Sequence, residues 1–495
     1  VNLREFLSMS SERIGFNPNI GKLLEEICKN LSKTYLPEMI IYCLQCINYI
    51  IDINPTLSSI LKKTNAIPTI MNTITAVEDI SCVEHIIKIF EKISIENSRI
   101  LLENQIFETF LVNIFDFLNI YQKKSIMKIC YNMTSRRLSV QDYNLYIKPA
   151  MKVLINLIYF DDNSEIENLS IVENGVNIFY NIINQLKYGI IYETEQKQEK
   201  EKEKEKEKEK EKINNEIINN NDNNNNNIVD EIIKDYQIIE NYKLILDKFF
   251  LKNSKIITEH LIQNILKTIV VILDISNEGM NKILSNKFLE LIAEIINTEF
   301  SSEVKENNNN FNNNNTINLI LRKTNSNAQK RFSIFSSEFF DILNSFFPSS
   351  NKIKISDDKK ILKPENKPYY DFFCQNIFLP LINNVMKKSI NTIHSYNFMK
   401  LISSFISNAS KDDIILFLPS KPISQIIIKL FNSKKINSIN DSISLIKCLL
   451  DKSPENYIVS FVREGIIDNL KNFKTLEEDK IELRRGRLNL PKYGL

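Results

Sequence analysis

Apolar residues recur at i, i+3, i+4 and i+7 through most of this chain, and short polar turns break the pattern. Cys43, Leu44, Ile47, Ile50 and Ile51 form one stripe. Ile86, Ile87, Phe90 and Ile93 form a second, and Ile126, Ile129, Cys130 and Met133 a third. A period of 3.6 residues predicts helices with one buried face. The stripes are offset by about 43 and then about 39 residues, close to the roughly 40–47 of armadillo and HEAT units. A further unit is predicted through Pro149, Met151, Leu154 and Leu157, then Ile171, Val176, Phe179 and Ile182.

The punctuation repeats with the stripes. An apolar run closes on Asp or Glu, a polar turn follows, a second apolar helix ends at Asn or Gly, and a third begins at once. Ile50-Ile51-Asp52 through Asn65-Ala66-Ile67 reads this way, as does Leu449-Leu450-Asp451 through Gly465-Ile466-Ile467. Ile95-Glu96-Asn97 to Asn104-Gln105-Ile106 and Leu273-Asp274 to Asn286-Lys287-Phe288 supply two more. The predicted junction residues are Asn65, Asn104, Gly175, Asn286 and Gly465, because a helix ends most easily on a left-handed residue, which Gly adopts freely and Asn tolerates. The helix after each junction is expected to line the concave groove. Pro68 suits the first turn of one such helix.

The expected fold is all-α, an armadillo/HEAT-like right-handed helical solenoid interrupted by two disordered low-complexity insertions. A capping segment, residues 1–35, precedes repeats at 36–190. An insert at 191–230 joins the Glu/Lys alternation of Glu199 to Lys212 to an Asn-rich run, and repeats resume at 231–300. A second Asn-rich insert occupies 301–330, repeats continue over 331–474, and residues 475–495 form a charged linker or tail. Neither insert can bury a core, so both are expected to loop out as solvated spacers.

Composition sharpens the picture in three places. Only 8 Gly and 13 Pro in 495 residues leave little room for tight hairpins. The 63 basic and 61 acidic residues nearly cancel, which gives no global field for nucleic acid or an anionic membrane. No apolar run reaches the roughly 18 residues of a membrane span. The seven cysteines are scattered and odd in number, which points to a reducing compartment, cytoplasmic or nuclear or both. The chain opens on Val1 with neither Met nor an apolar leader stretch, so an excerpt of a longer protein is expected.

Catalytic chemistry finds no foothold in the pattern. Cys43-Leu44-Gln45-Cys46 is a lone CxxC with no second pair and no His pair nearby, and the repeat register makes both cysteines core or near-core. His85, His260 and His394 stand outside any GxSxG or HExxH context. No glycine-rich phosphate loop exists. The expected set is therefore no catalytic, metal or cofactor residue, with substrate-binding positions unassigned. The chain also has no Trp, whereas armadillo proteins that bind basic nuclear-import signals use Trp and Asn ladders.

One armadillo family shares the order of these segments. Leu449-Leu450-Asp451-Lys452-Ser453-Pro454, followed by Tyr457 to Phe461 and Val462-Arg463-Glu464-Gly465-Ile466, resembles the last repeat of HECT-type E3 ubiquitin ligases of the ubiquitin-fusion-degradation class. Ile86 to Ser94 and Ser125 to Thr134 are similar to that family's early repeats. The resemblance covers residues 36–185, 260–300 and 335–473. The family's catalytic HECT domain has no counterpart here, and Cys448, the last cysteine, lies within a repeat helix. The resemblance thus implies a substrate-recognition region that binds protein substrates, ubiquitin-tagged ones among them. Transfer of ubiquitin from an E2 enzyme is implied for a longer parent only. The alternative is a stand-alone armadillo scaffold or adaptor without catalysis.

Overall fold

A computed structural model describes residues 19–34, 36–64, 66–76, 80–159, 168–188, 228–252, 254–301, 334–347, 366–387, 392–418, 420–432 and 436–470. All regular structure among these residues is helical. The Glu/Lys run, the Asn-rich runs, the tail 475–495 and Asn65 lie outside the described residues, although helix already covers residues 228–230.

The chain divides into two compact units, Val1–Ile245 with Lys255–Ile275, and Leu246–Ser254 with Ser276–Leu495. The first opens with α1 (Ile20–Leu31) and the long α2 (Pro37–Ile53), then the short α3 (Ser58–Lys63) and α4 (Ala66–Ala76). The order long, short, medium then repeats. Helix α5 (Ile80–Glu103) is broken at Asn97, whose φ of −146° and ψ of 64° separate a long arm from a short one. Helix α6 begins at Ile106 and runs through wide and tight turns to Phe117. Helix α7 (Ile120–Thr134) starts the third repeat. Its helix α8 runs from Val140 to Ile158 through a wide turn and then a tight one. Helix α9 covers residues 168–188. After it come α10 (Ile228–Asp235), α11 (Ile238–Phe250), whose residues from Leu246 onward belong to the second unit, and α12 (Glu259–Ile275).

Local sequence accounts for the starts and stops. Pro37 occupies the first turn of α2, where its missing N–H costs nothing. Asn119 and Gln122 form a reciprocal capping box at α7, as Ser139 and Asp142 do at α8. The predicted stripes are the core: Leu44, Ile47, Ile50, Ile86, Phe90, Ile93, Ile126, Ile129 and Cys130 are fully buried. Each repeat therefore buries its stripe against its neighbours, and α5 packs on both α2 and α7.

The second unit carries α13 (Asn277–Ser285), α14 (Phe288–Ser301) and α15 at residues 334–345. Helix α16 runs from Lys367 to Lys387 with a wide turn at Cys374–Phe378. It is followed by α17 (Thr392–Asn408), α18 (Lys411–Phe417), α19 (Ser420–Asn432), α20 (Ile436–Lys452), α21 (Pro454–Arg463) and a last turn at residues 466–470. Its core is aromatic. Phe249 and Phe250 meet Phe335 edge-on, both with centroids 5.9 Å apart, and Phe378 stacks on Phe405 at 4.3 Å.

Candidate interaction face

Polar links join several long helices of the first unit to a neighbour: α2 to α5, α5 to α7 and α9 to α12. Between α2 and α5, Asn48 is buried within an otherwise apolar stripe. Its Nδ2 donates to the His85 carbonyl at 3.0 Å, and its Oδ1 accepts from Lys92 Nζ at 3.2 Å. Lys92 also reaches the Asp52 carboxylate at 2.7 Å, and Gln45 Nε2 lies 3.2 Å from His85 Nε2. A polar side chain there is tolerated because its amide is bonded on both sides.

The next interval repeats the device with different residues. Lys128 of α7 pairs with Glu91 of α5, and Asn132 Nδ2 donates to Ser94 Oγ at 2.9 Å. Arg136, just past α7, donates to the carbonyls of Ile95 at 2.6 Å and Glu96 at 3.2 Å. Between α9 and α12, Asn177 accepts from Asn264, Lys187 meets Asp274 at 2.7 Å, and Glu173 stands 4.0 Å from His260. The first two links join residues 87 apart in sequence, as expected of two helices lying side by side in parallel.

Tyrosines and an isoleucine project between the links: Tyr42, Ile95, Tyr121, Tyr131 and Tyr188 are all exposed. The cations are matched by carboxylates, with Lys88 bonded to Glu84 at 2.5 Å as well. That bond, and the charge of the same lysine, hold the Glu84 carboxyl below its ordinary range. A near-neutral, aromatic and amide-rich surface of this kind matches the chemistry of protein interfaces, where Tyr is enriched and unpaired charge is scarce.

The junction residues behave unequally. Gly465 takes the left-handed conformation, with φ of 72°. At two other junctions the left-handed residue is the one after the expected Asn: Gln105 (φ 58°) rather than Asn104, and Lys287 (φ 57°) rather than Asn286. Asn104 instead folds its side chain back, and its Nδ2 donates to the Ile100 carbonyl at 2.8 Å. It thereby satisfies one of the acceptors that a helix end leaves open. Gly175 is no junction at all, since it lies inside the continuous helix α9. A Cβ there would stand 3.2 Å from Ile158 Cγ1 and 3.7 Å from Met127 Cε, so this glycine lets α9 approach α8 and α7 closely.

The CxxC thiols are placed as side chains of α2. Cys43 is buried and burial raises its pKa, with Cys46 adding to the effect; burial likewise pushes the nearby Cys28 up to about 11. His85 and His260 take part in the inter-helix links, and nothing is described of the His394 side chain. Among the described residues no group of three or more His, Cys, Asp or Glu is arranged to hold a metal ion, and no helix is long and apolar enough to cross a membrane.

The polar links escape a reading of the sequence, which places the groove on the helices following the junctions. The links run instead along the long helices that precede them. The available signal is a polar residue within a buried stripe, Asn48 amid Ile47, Ile50 and Ile51.

No protein-family model matches the chain, and no curated protein matches it in sequence. Among solved structures, similarity is found to an engineered protein at TM-score 0.43 and 10% identity, over 90% of this chain and 94% of that one. A designed armadillo repeat protein in complex with the peptide (KR)4 matches at TM-score 0.36 and 14% identity, over 62% of this chain and 99% of that one. The SYS-1/POP-1 complex matches at TM-score 0.44 and 12% identity, over 90% of this chain and 63% of that one. The helical-repeat fold described above rests on the helices themselves.

Proposed function

We propose that this chain is a protein-binding repeat region that holds its partner along the long-helix face of the first unit. Within that reading, it serves as the substrate-recognition arm of a HECT-type E3 ubiquitin ligase. The observation that carries the binding role is the recurrence of polar links between long helices beside exposed tyrosines. Paired charges and amides fix α2 to α5, α5 to α7 and α9 to α12, while Tyr42, Tyr121, Tyr131 and Tyr188 stay exposed between them. Such a surface offers aromatic anchors on a rigid backing, so little side-chain freedom is lost when a partner docks. The ligase role is supported by the order of the sequence segments that resemble that family, ending in Arg463-Glu464-Gly465.

In this mechanism the chain makes and breaks no bond. It holds a protein substrate, or its ubiquitin tag, while a domain of the longer parent accepts ubiquitin from an E2 enzyme on a cysteine and passes it to a substrate lysine. The contribution of the arm is proximity and orientation. The test is ubiquitylation by the parent protein. Deletion of residues 36–473 should abolish modification of its substrates, and the Tyr42→Ala/Tyr131→Ala variant should weaken it while keeping the helical signal and melting temperature. Undiminished modification of every substrate after the deletion would refute the ligase reading. A parent without ubiquitin chemistry that still loses a binding partner on the double substitution would leave the scaffold reading in its place.

A further inference from the structure

Helix α21 has two apolar stripes where one suffices. Tyr457 and Phe461 face the core and are buried. On the opposite side Ile458, Val459 and Val462 are 49%, 61% and 59% exposed. With Glu455 and Arg463, both exposed, these residues occupy positions i, i+3, i+4, i+7 and i+8 of a single helical face. The face is therefore apolar in the middle, acidic at its start and basic at its end.

Helix α18, against which α21 packs, also exposes apolar side chains. Helix α18 meets α21 through Lys411 Nζ to Glu455 Oε1 at 3.4 Å and through Tyr457 Oη donating to the Leu418 carbonyl at 2.7 Å. It exposes Ile415 and Leu416, at 46% and 66%. Singly exposed apolar residues need no explanation, but three on one face of a single helix form a stripe of the kind that marks an interaction surface.

We propose that this stripe is a self-association surface, on which α21 packs antiparallel against α21 of a second copy of this chain about a two-fold axis. Charge selects this occupant. An antiparallel pairing centred on Val459 sets Glu455 of each copy opposite Arg463 of the other, lays Val459 against its equivalent and places Ile458 and Val462 on the same face beside it. A two-fold interface requires self-complementarity of this type. A parallel pairing would oppose Glu455 to Glu455 and Arg463 to Arg463. Arg463 has no ion-pair partner among the described residues. The exposed pair Glu455–Lys411 leaves a carboxylate oxygen able to take a second cation, and such surface pairs hold their partners only weakly.

The experiment is sedimentation equilibrium of the full chain over a range of concentrations, with light scattering as a second measure of mass. The wild-type chain should pass from monomer to dimer as concentration rises. Val459→Asp should weaken dimerisation by at least about tenfold, because it buries a carboxylate at the centre of the seam. Glu455→Arg and Arg463→Glu should each weaken it, by about tenfold as close charge pairs across interfaces do, and the double variant should regain most of the loss. Circular dichroism must show unchanged helicity in all variants, as is expected for exposed positions. Three outcomes overturn the proposal. One is a wild-type chain that stays monomeric at every concentration it tolerates, which would mean that another protein or another part of the chain covers the stripe. The others are a dimer indifferent to Val459→Asp, and charge variants whose effects add instead of cancelling.

Discussion

Replacing Asp142 by asparagine tests how one repeat of the first unit is tied to the next. The Asp142 carboxylate accepts two bonds from the Arg99 guanidinium, Nη1 to Oδ2 at 2.7 Å and Nη2 to Oδ1 at 2.8 Å, and a third from the Ser139 N–H at 3.0 Å. Ser139 Oγ in turn accepts the Asp142 N–H at 3.1 Å. An asparagine side chain keeps one acceptor and turns an NH2 group towards a donor, so one charge-assisted bond is lost and another becomes neutral. A bond to a charged group contributes about 1.5–3 kcal/mol, and weakening the cap costs a further ~0.5–1 kcal/mol. Arg99, however, is 45% exposed and also bonded to Glu103, so water recovers part of the loss. The expected net cost is about 2 kcal/mol at neutral pH.

The pH dependence of that cost has a definite sign. Burial alone would raise the Asp142 pKa, but the bonds from Arg99 and Ser139 and the guanidinium charge outweigh it and hold the carboxyl below its ordinary value. A depressed folded pKa gives stability that is complete above the unfolded value, near 3.9, and is lost as pH falls through the folded one. The amide of the Asp142→Asn variant cannot titrate, so the gap between the two proteins should narrow as the solution becomes more acid than about pH 4. Opening free energies from amide hydrogen exchange across residues 140–147, with Arg99→Ala completing a double-mutant cycle, would measure both effects. The reasoning fails if D142N costs less than about 0.5 kcal/mol at neutral pH, or if the gap is the same in acid.

Substitutions at five further positions probe the left-handed turns, the close packing at Gly175 and a cation at a helix end. Gly465→Ala meets no atom within 4 Å but must hold φ near 72°, so it should cost about 1–2 kcal/mol in chemical denaturation; a smaller loss would mean the turn relaxes. Gln105→Gly and Lys287→Gly, which relieve the same penalty at added entropic cost, should stabilise by less than about 1 kcal/mol. Gly175→Leu drives a side chain into Ile158 and should destabilise by about 1–3 kcal/mol in the same assay, with a neutral result implying that α9 can move away from α8. Lys452 donates to carbonyls at the end of α17, so Lys452→Met should cost about 1–2 kcal/mol and speed hydrogen exchange there, and Lys452→Arg should recover most of the loss.

The repeats are legible because burial writes its period into the sequence. The stripes through Leu44, Phe90 and Ile129 fill the core, and the break expected at Asn97 is a non-helical residue within Ile80–Glu103. The junctions are legible only to within a residue. Asn104 is the expected residue for its tolerance of the left-handed region, yet it serves through its side chain, and Gln105 takes the unusual backbone with no compositional mark. Gly175 shows the opposite limit. One residue type answers both the need for positive φ and the need for close approach, and only the packing of Ile158 and Met127 tells which applies.

The links between repeats are the least legible part, because each is made by a different pair of residues performing the same task. Arg136 crosses back from the end of α7 to the last carbonyls of the long arm of α5. In the second unit Lys452, at the end of α20, does the same for α17, donating to the carbonyls of Ile406 at 2.5 Å, Ser407 at 3.2 Å and Ala409 at 2.9 Å. Both cations meet acceptors that a helix end leaves open, at its negative pole. What is repeated in these two cases is therefore a position in space, the C-terminal end of a long helix, and a sign of charge. The residue that supplies it, and its register in sequence, are free to drift. In an array stabilised by nearest-neighbour contacts, that freedom lets the polar face change its side chains while the buried stripe keeps the repeats in step. On the function proposed above, the long-helix face is the surface on which partner specificity can vary at little cost to the fold.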